Sequence, residues 1–310
     1  MHAPARGRTD FAPLDTGLLL TLGGMWGLSF LFIEFALRGL GPIWIVVGRT
    51  LVGALVLFGA LLLRRQQLPR SARLWGHLAV LGAVSNAIPW AAVAMAQRTI
   101  PSGLAALLMA LVPSSTFVVA ASLRMERVTA SRVVGLVVAL GGVAIIVAPG
   151  LGDAGRLAAI ATVVGATLLY AGGAVYAKRY VSGVLAPLAV ATGQVATAFV
   201  VALAMALTFD EVPTAAALRT DVLLAVVALG VLGTGLAFLV FYVLIARVGA
   251  TSTTLVTYLI PLVAVVAGGL VLGERLGTAE WLGGAAIGAG IWLAQRHGRG
   301  PVEPVEELKA

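Results

Sequence analysis

Few groups in this 310-residue chain are equipped for chemistry. It has no cysteine, which excludes disulfides and cysteine-ligated metal sites. The groups that stand out are charged residues inside apolar sequence. Glu34 sits in FLFIEFAL and Arg49 in IVVGRTLV. An ionisable side chain at the centre of a membrane helix costs roughly 2.5–3.5 kcal/mol on insertion scales, so each needs a reason. The two lie on either side of a short hairpin, close enough to pair. Two readings stay open. In one, Glu34 snorkels to the interface and Arg49 packs as a structural cation. In the other, Glu34 is a titratable or solute-facing carboxylate held by Arg49, and the best candidate in the chain for proton coupling. His77 is the other candidate, but it falls near a helix end.

Aromatic and polar residues recur at helical spacing. Trp26, Phe30 and Glu34 repeat every four residues, as do Asn86 and Trp90, and Thr234, Phe238 and Tyr242. Thr254, Tyr258 and Pro261 share a face, and so do Tyr170 and Lys178. An amide such as Asn86 is unsatisfied against lipid, so it is expected to face a neighbouring helix or a wet cavity. Rings beside hydroxyls and an amide suit a mostly apolar organic solute with a few polar groups. Interfacial belts also draw Trp and Tyr, and Trp44, Trp75, Trp281 and Trp292 are read that way. Trp90 and Tyr258 are assigned to the cavity.

Lipid must be the bulk solvent around these residues. Hydrophobic residues make up 60% of the chain and charged residues 11%, against roughly 25% charged in soluble proteins. The net charge of +8 is spread singly between apolar blocks, so no nucleic-acid partner is expected. Ten stretches reach the ~20 apolar residues a spanning helix needs. They cover approximately 16–37, 42–63, 73–97, 101–123, 130–149, 157–178, 186–208, 221–245, 250–272 and 279–296. The first is too long for a signal-peptide core and is expected to be retained. Counting Lys and Arg on alternate sides gives 15 against five, which predicts both termini in the cytoplasm. The glycine doublets follow no strand and precede no P-loop lysine, so they read as helix-packing positions. No metal or cofactor is expected.

The chain also repeats itself. Shifted by 148, LVPSSTFVVAASLRMER at 111–127 lies on LIPLVAVVAGGLVLGER at 259–275. Pro113 falls on Pro261, Glu126 on Glu274, Gly135 on Gly283, Asn86 on Thr234 and Trp90 on Phe238. A slightly smaller shift puts Trp26 on Tyr170, Glu34 on Lys178 and Arg49 on Gln194. Five helices per copy is an odd number, so the second copy is expected upside down. The fold class is therefore an all-α polytopic membrane protein, with ten transmembrane helices as two inverted five-helix repeats. The repeats are 1–150 and 151–299, followed by a polar cytoplasmic tail at 300–310. Inverted repeats are an architecture of secondary transporters, with the solute site near the midplane.

Ten spans, the duplicated unit, Trp26-Gly27, the proline opening the fourth helix and the Glu-Arg closing it resemble the EamA-type drug/metabolite transporters. The aromatic amino acid exporters of the YddG kind are the branch most similar to it. The resemblance covers nearly the whole chain. It implies export of amino acids, other metabolites or toxic compounds across the cell inner membrane. The family pattern often has a lysine eight residues after the first-helix Trp. Here that position is Glu34, while the second repeat keeps Lys178.

The expected function is secondary transport by alternating access, with small organic solutes, amino acids foremost, and the bilayer as partners. Proton coupling and facilitated diffusion are both open. The expected solute contacts are Trp26, Phe30, Asn86, Trp90, Tyr170, Thr234, Phe238, Tyr242, Thr254 and Tyr258. Glu34, Arg49, Pro113 and Pro261 are expected to serve coupling or gating. The competing class is a membrane-embedded enzyme acting on lipid-linked substrates. Such enzymes need clustered His, Asp or Glu at a membrane face. The one adjacent acidic pair in the connecting loops, Asp210-Glu211, reads as a solvated turn.

Overall fold

The structure, a computed structural model, describes residues 12–126 and 128–296, with backbone alone at 250, 251, 295 and 296. Arg6, Arg8, Arg127, Arg299, Lys309 and the expected tail at 300–310 lie outside the described residues. Among the described residues the chain is helical, with no strand. The helices are α1 (Pro13–Leu37), α2 (Pro42–Leu63), α3 (Ala72–Gln97), α4 (Ser102–Ser122) and α5 (Ala130–Gly150). There follow α6 (Ala154–Tyr180), α7 (Pro187–Phe209), α8 (Thr220–Gly249), α9 (Val256–Leu272) and α10 (Thr278–Arg296). The first eight are long and apolar enough to cross a membrane, and α9 is a shorter apolar helix. It is shorter than expected because the chain turns at Thr254-Leu255.

Local chemistry sets the ends. Pro13, Pro42 and Pro187 open α1, α2 and α7, where a missing N–H is no loss. Gly249 ends α8 with φ of 82° and ψ of 163°, backbone that only glycine adopts without strain. The helix amides left over at two N-termini are capped by acids from connections distant in the chain. Asp210 accepts from Ile43 N at 2.9 Å and Trp44 N at 3.3 Å, so it is a cap on α2 rather than a solvated turn. Glu274 accepts from Ser102 N at 2.9 Å, Ser102 Oγ at 3.0 Å and Gly103 N at 3.1 Å, capping α4.

The two prolines expected to interrupt matched helices behave differently. The chain turns at Ala110-Leu111, just ahead of Pro113, because a proline removes one helical bond and its ring crowds the carbonyl four residues earlier. Pro261 instead lies inside an unbroken helix from Val256 to Ala267. The interruption on that side comes earlier, at Thr254-Leu255, and a wider π-helical turn follows at Gly268–Leu272.

Helices pack across the two halves more than within them. α1 packs on α8 and α9, while α6 packs on α3 and α4. α2 meets α8 and α7 meets α3; α2 also pairs with α7, and α5 with α10. This pattern is unchanged when each helix is exchanged for the one five places on. The α5–α10 contact runs on glycines. A Cβ on Gly135 would meet Gly290 O at 2.4 Å, and one on Gly142 would meet Gly283 O at 2.5 Å, with the converse contacts at the same distances. Rising residue number on α5 meets falling number on α10, so these helices are antiparallel. Ile43, Val46 and Val47 on α2 cluster with Ala198, Ala202 and Ala206 on α7, while Leu57 and Leu61 meet Leu188 and Ala191. That pair is antiparallel too.

Large aliphatic side chains cover the outside of the bundle. Leu55, Leu140, Val200, Leu224 and Leu270 are all exposed. In water such a surface is an aggregation hazard; in a bilayer it is the solvated face. Trp281 and Trp292 are also exposed, consistent with a place at the lipid interface.

Candidate functional site

Among the described residues, two of the three π-helical turns fall at matched positions in the repeat. α3 widens to a π-helical turn at Ala83–Ala87, and α8 does so at Val231–Leu236. These stretches coincide under the 148-residue shift. Asn86 lies in the first and Thr234 in the second. Inserted π turns are frequent at functional sites because they re-aim side chains and leave carbonyls off the regular ladder.

Each π turn is gripped by a polar side chain from the opposite half. From α2, the Arg49 Nε donates to Thr234 Oγ1 at 3.0 Å, and Nη2 donates to the Gly233 carbonyl at 3.1 Å. From α7, Gln194 Nε2 donates to Asn86 Oδ1 at 3.0 Å. Arg49 and Gln194 are matched by the repeat, so the two bonds are counterparts. Thr234 is fully buried and its hydroxyl donates in turn to Leu229 O at 3.0 Å. Gly233 also lets α1 come close to this turn, since a Cβ there would stand 2.5 Å from Ser29 Oγ.

Between these two ties lies a chamber of about 400 Å³. Its walls come from α1, α2, α3, α4, α6, α7, α8 and α9. The guanidinium carbon of Arg49 sits 3.8 Å from the Trp90 ring centroid, a cation–π contact. Trp26 and Phe241, both on the chamber wall, meet in a tilted arrangement with centroids 5.5 Å apart. The chamber is apolar apart from Arg49, the Asn86–Gln194 amides and a few hydroxyls.

Of the residues expected to contact solute, Trp26, Phe30, Asn86, Trp90, Tyr170 and Phe238 line this chamber. Arg49 and Pro261 line it as well. Thr234 stands behind it as the support of Arg49. Tyr242 packs behind Phe238 and Phe241 at 6.3 and 5.5 Å. Thr254 is exposed, and Tyr258 packs on the main core cluster. The turn at Thr254-Leu255 takes Thr254 off the helix that carries Tyr258 and Pro261, and within that helix Tyr258 lies off the face that meets the chamber. Thr257 and Ile260 take that face instead. Because Pro261 has no N–H for the Thr257 carbonyl, a polar backbone group is left at the chamber wall.

The Glu34–Arg49 pair does not form. Glu34 accepts from Gln97 Nε2 at 3.0 Å, and that amide also donates to Phe30 O at 2.9 Å. Arg49 spends its bonds on α8. Each side chain is satisfied by a different neighbour, and for Arg49 that neighbour is the opened π turn. Glu34, like Pro113, is outside the chamber lining. Sequence reasoning missed Gln194 and Gln97 as site residues. Gln194 was already the match of Arg49, and that alignment was the signal for it.

A helical bundle with an aromatic, solute-sized chamber between its two halves, sheathed in exposed aliphatic side chains, is the form of a membrane transporter. The chain belongs to the EamA-like transporter family, whose model matches it twice, at residues 16–148 and 157–295. It is 31% identical over 282 residues to a probable terminal-alkyne amino-acid exporter of Streptantibioticus cattleyicolor, covering 88% of this chain and 90% of that one. It is 28% identical over 269 residues to the uncharacterized inner membrane transporter YedA of Escherichia coli, covering 86% and 85%. An uncharacterized transporter of Archaeoglobus fulgidus is 24% identical over 280 residues, covering 87% and 95%. A solved crystal structure shares the fold with a TM-score of 0.65 at 18% identity, over 92% of this chain and 97% of the other.

Proposed function

We propose that the protein is a secondary exporter of small amphiphilic organic solutes, amino acids or close relatives, across the inner membrane. The observation that carries this is the chamber itself. It is walled by helices of both family repeats and offers aromatic faces beside an amide pair and one guanidinium. Its ~400 Å³ fits a solute of amino-acid size. The exporter of amino acids among the relatives points to the same solute class.

The mechanism is alternating access between two inverted five-helix repeats, 1–150 and 151–299, making ten spans with both termini cytoplasmic. Antiparallel pairing of α2 with α7 and of α5 with α10 supports the inversion, since each pair is a helix with its own repeat counterpart. On the proposed orientation, the outer face is held shut by Glu274 on α4, Asp210 on α2 and Glu34 with Gln97. Glu126, the counterpart of Glu274, is paired with Arg132 at 2.9 Å instead. This suggests a two-sided latch. When the outer face opens, Glu274 leaves Ser102, and Glu126 caps the backbone amides at 250 and 251, the positions matching Ser102 and Gly103. Proton coupling through Glu34 belongs to the same proposal.

The test is counterflow in proteoliposomes with a panel of amino acids, run with and without a pH gradient. Saturable exchange whose half-saturation concentration rises at least ten-fold in Trp90→Ala is the expected result. Absence of flux for the whole panel, with an enzymatic product from a lipid-linked donor, overturns the reading.

A further inference from the structure

We infer that Arg49 is the receptor for a solute carboxylate, so that the chamber selects carboxylates over otherwise identical neutral or cationic molecules. This rests on the chamber being the solute site.

Arg49 is a charge without a counter-charge. Arg49 is 6% exposed at the middle of an apolar helix. Among the described residues, no carboxylate lies within ion-pair distance of it. Glu34 is engaged by Gln97 and Asp210 by the end of α2. A buried cation left uncompensated is strongly destabilising, so a chain that keeps one gains something by it.

The structural duty of Arg49 does not need the charge. The matched tie on the other side, Gln194 to Asn86, is made by a neutral amide. Anchoring a π turn across the halves is therefore within reach of glutamine. What arginine adds is a formal charge and spare donors. A guanidinium has five N–H groups in a planar fork. Arg49 gives one from Nε and one from Nη2 to α8, and among the described residues Nη1 makes no hydrogen bond. The remaining Nη1–Nη2 edge matches the spacing of two carboxylate oxygens. Thr234 and Gly233 fix one edge of the fork, and Trp90 covers a face of it at 3.8 Å. The guanidinium is thus pre-oriented in a mostly apolar chamber, where a charge-assisted pair is stronger than in water.

The chamber is consequently polarised, with a cation from one repeat and a neutral amide pair at the counterpart position. A solute carboxylate lies at Arg49, its apolar body lies along the aromatic walls, and a second polar group reaches toward Asn86 and Gln194.

The test uses purified full-length protein in detergent and ligands that differ in one group: 3-phenylpropionate against 3-phenylpropionamide, and L-phenylalanine and L-norvaline against their amides. Thermal-shift titrations are expected to show the carboxylates binding at least ten-fold tighter than their amides. Arg49→Gln is expected to erase that preference and Arg49→Lys to keep part of it. If Arg49→Gln does not fold, Thr234→Val, which keeps the charge but frees the fork, is expected to narrow the preference. Equal binding of acid and amide by the unaltered protein, or no binding of any carboxylate, overturns the inference. An unchanged preference in a folded Arg49→Gln or Thr234→Val protein does so as well. Proteoliposome flux of the same ligands separates this failure from that of the transport reading. Flux indifferent to the carboxylate sinks only the role of Arg49, and carboxylate-selective binding without flux sinks only transport.

Discussion

Thr234 and Gln194 show how a single side chain sets the chemistry of the chamber wall. Thr234 is the support of a buried cation, so replacing its hydroxyl removes the bonds to Arg49 and to the Leu229 carbonyl without changing shape. Thr234→Val is expected to lower stability by about 1–3 kcal/mol, the usual consequence of leaving a buried donor unsatisfied, measurable as a lower unfolding midpoint in detergent. Trp90 and Tyr258 form a contrasting pair. Trp90 lines the chamber beneath Arg49, whereas Tyr258 packs into the core beside it. Trp90→Ala is therefore expected to raise the half-saturation concentration for counterflow at least ten-fold, and Tyr258→Ala to change it less than three-fold, a ten-fold change being roughly 1.4 kcal/mol of binding. Equal effects of the two would count against this placement. Both aromatics have the same sequence credentials, a helical spacing from a polar neighbour. The face that α9 turns to the chamber decides which of them meets the solute, since Thr257, Ile260 and Pro261 line it and Tyr258 does not.

At the scale of elements, the informative contacts are those between a helix end and an acid from elsewhere in the chain. Glu274 gathers three donors at the start of α4, where the helix dipole favours negative charge. Losing such a cap costs about 0.5–2 kcal/mol. If it is an outer latch, that energy biases a conformational equilibrium, and removing it raises the outward-open population several-fold. The absence of native cysteine makes this measurable with a single introduced thiol. Ile33→Cys, on the chamber wall next to Glu34, is expected to react faster with an impermeant maleimide added outside when combined with Glu274→Ala. Glu126→Ala is expected to leave that rate the same or lower it. The α5–α10 seam offers a separate test of packing. Gly142→Val must push a side chain into the Gly283 carbonyl at 2.5 Å, and overpacking of this kind typically costs 1–3 kcal/mol. A marked loss of folded protein is expected, while Gly141→Val, which meets nothing within 4 Å, is expected to be tolerated.

For the whole molecule, the proposed inversion fixes which loops face which side. An alkaline phosphatase fusion at Asp153 is expected to be active and one at Gln66 inactive. The reverse pattern would overturn the orientation inferred from the arginine count. The inversion also explains why the site is shared. Because each repeat contributes one π turn and one polar side chain that grips the other repeat's turn, neither half holds a chamber alone. Expressed separately, neither 1–150 nor 151–299 is expected to show carboxylate-selective binding in thermal-shift titration.

The sequence determined the solvent, the approximate helix boundaries and the repeat, because each is written in local composition and spacing. Charge scarcity implies lipid, runs of about 20 apolar residues imply spans, and a 148-residue offset joins Pro113 to Pro261 and Asn86 to Thr234. Six of the ten aromatic and polar residues nominated from helical spacing line the chamber for the same reason, since a helix carries its periodicity into three dimensions. Hydrogen-bond pairing was not legible. Glu34 and Arg49 were close along the chain and looked like a pair. Arg49 instead bonds Thr234, 185 residues away, and Glu34 bonds Gln97. That choice depends on a π turn opening in α8 and on Gly230 and Gly235 letting Val52 and Val56 of α2 come near. Close approach of this kind arises only when helices from opposite repeats are packed together, and it leaves no period in the sequence to read.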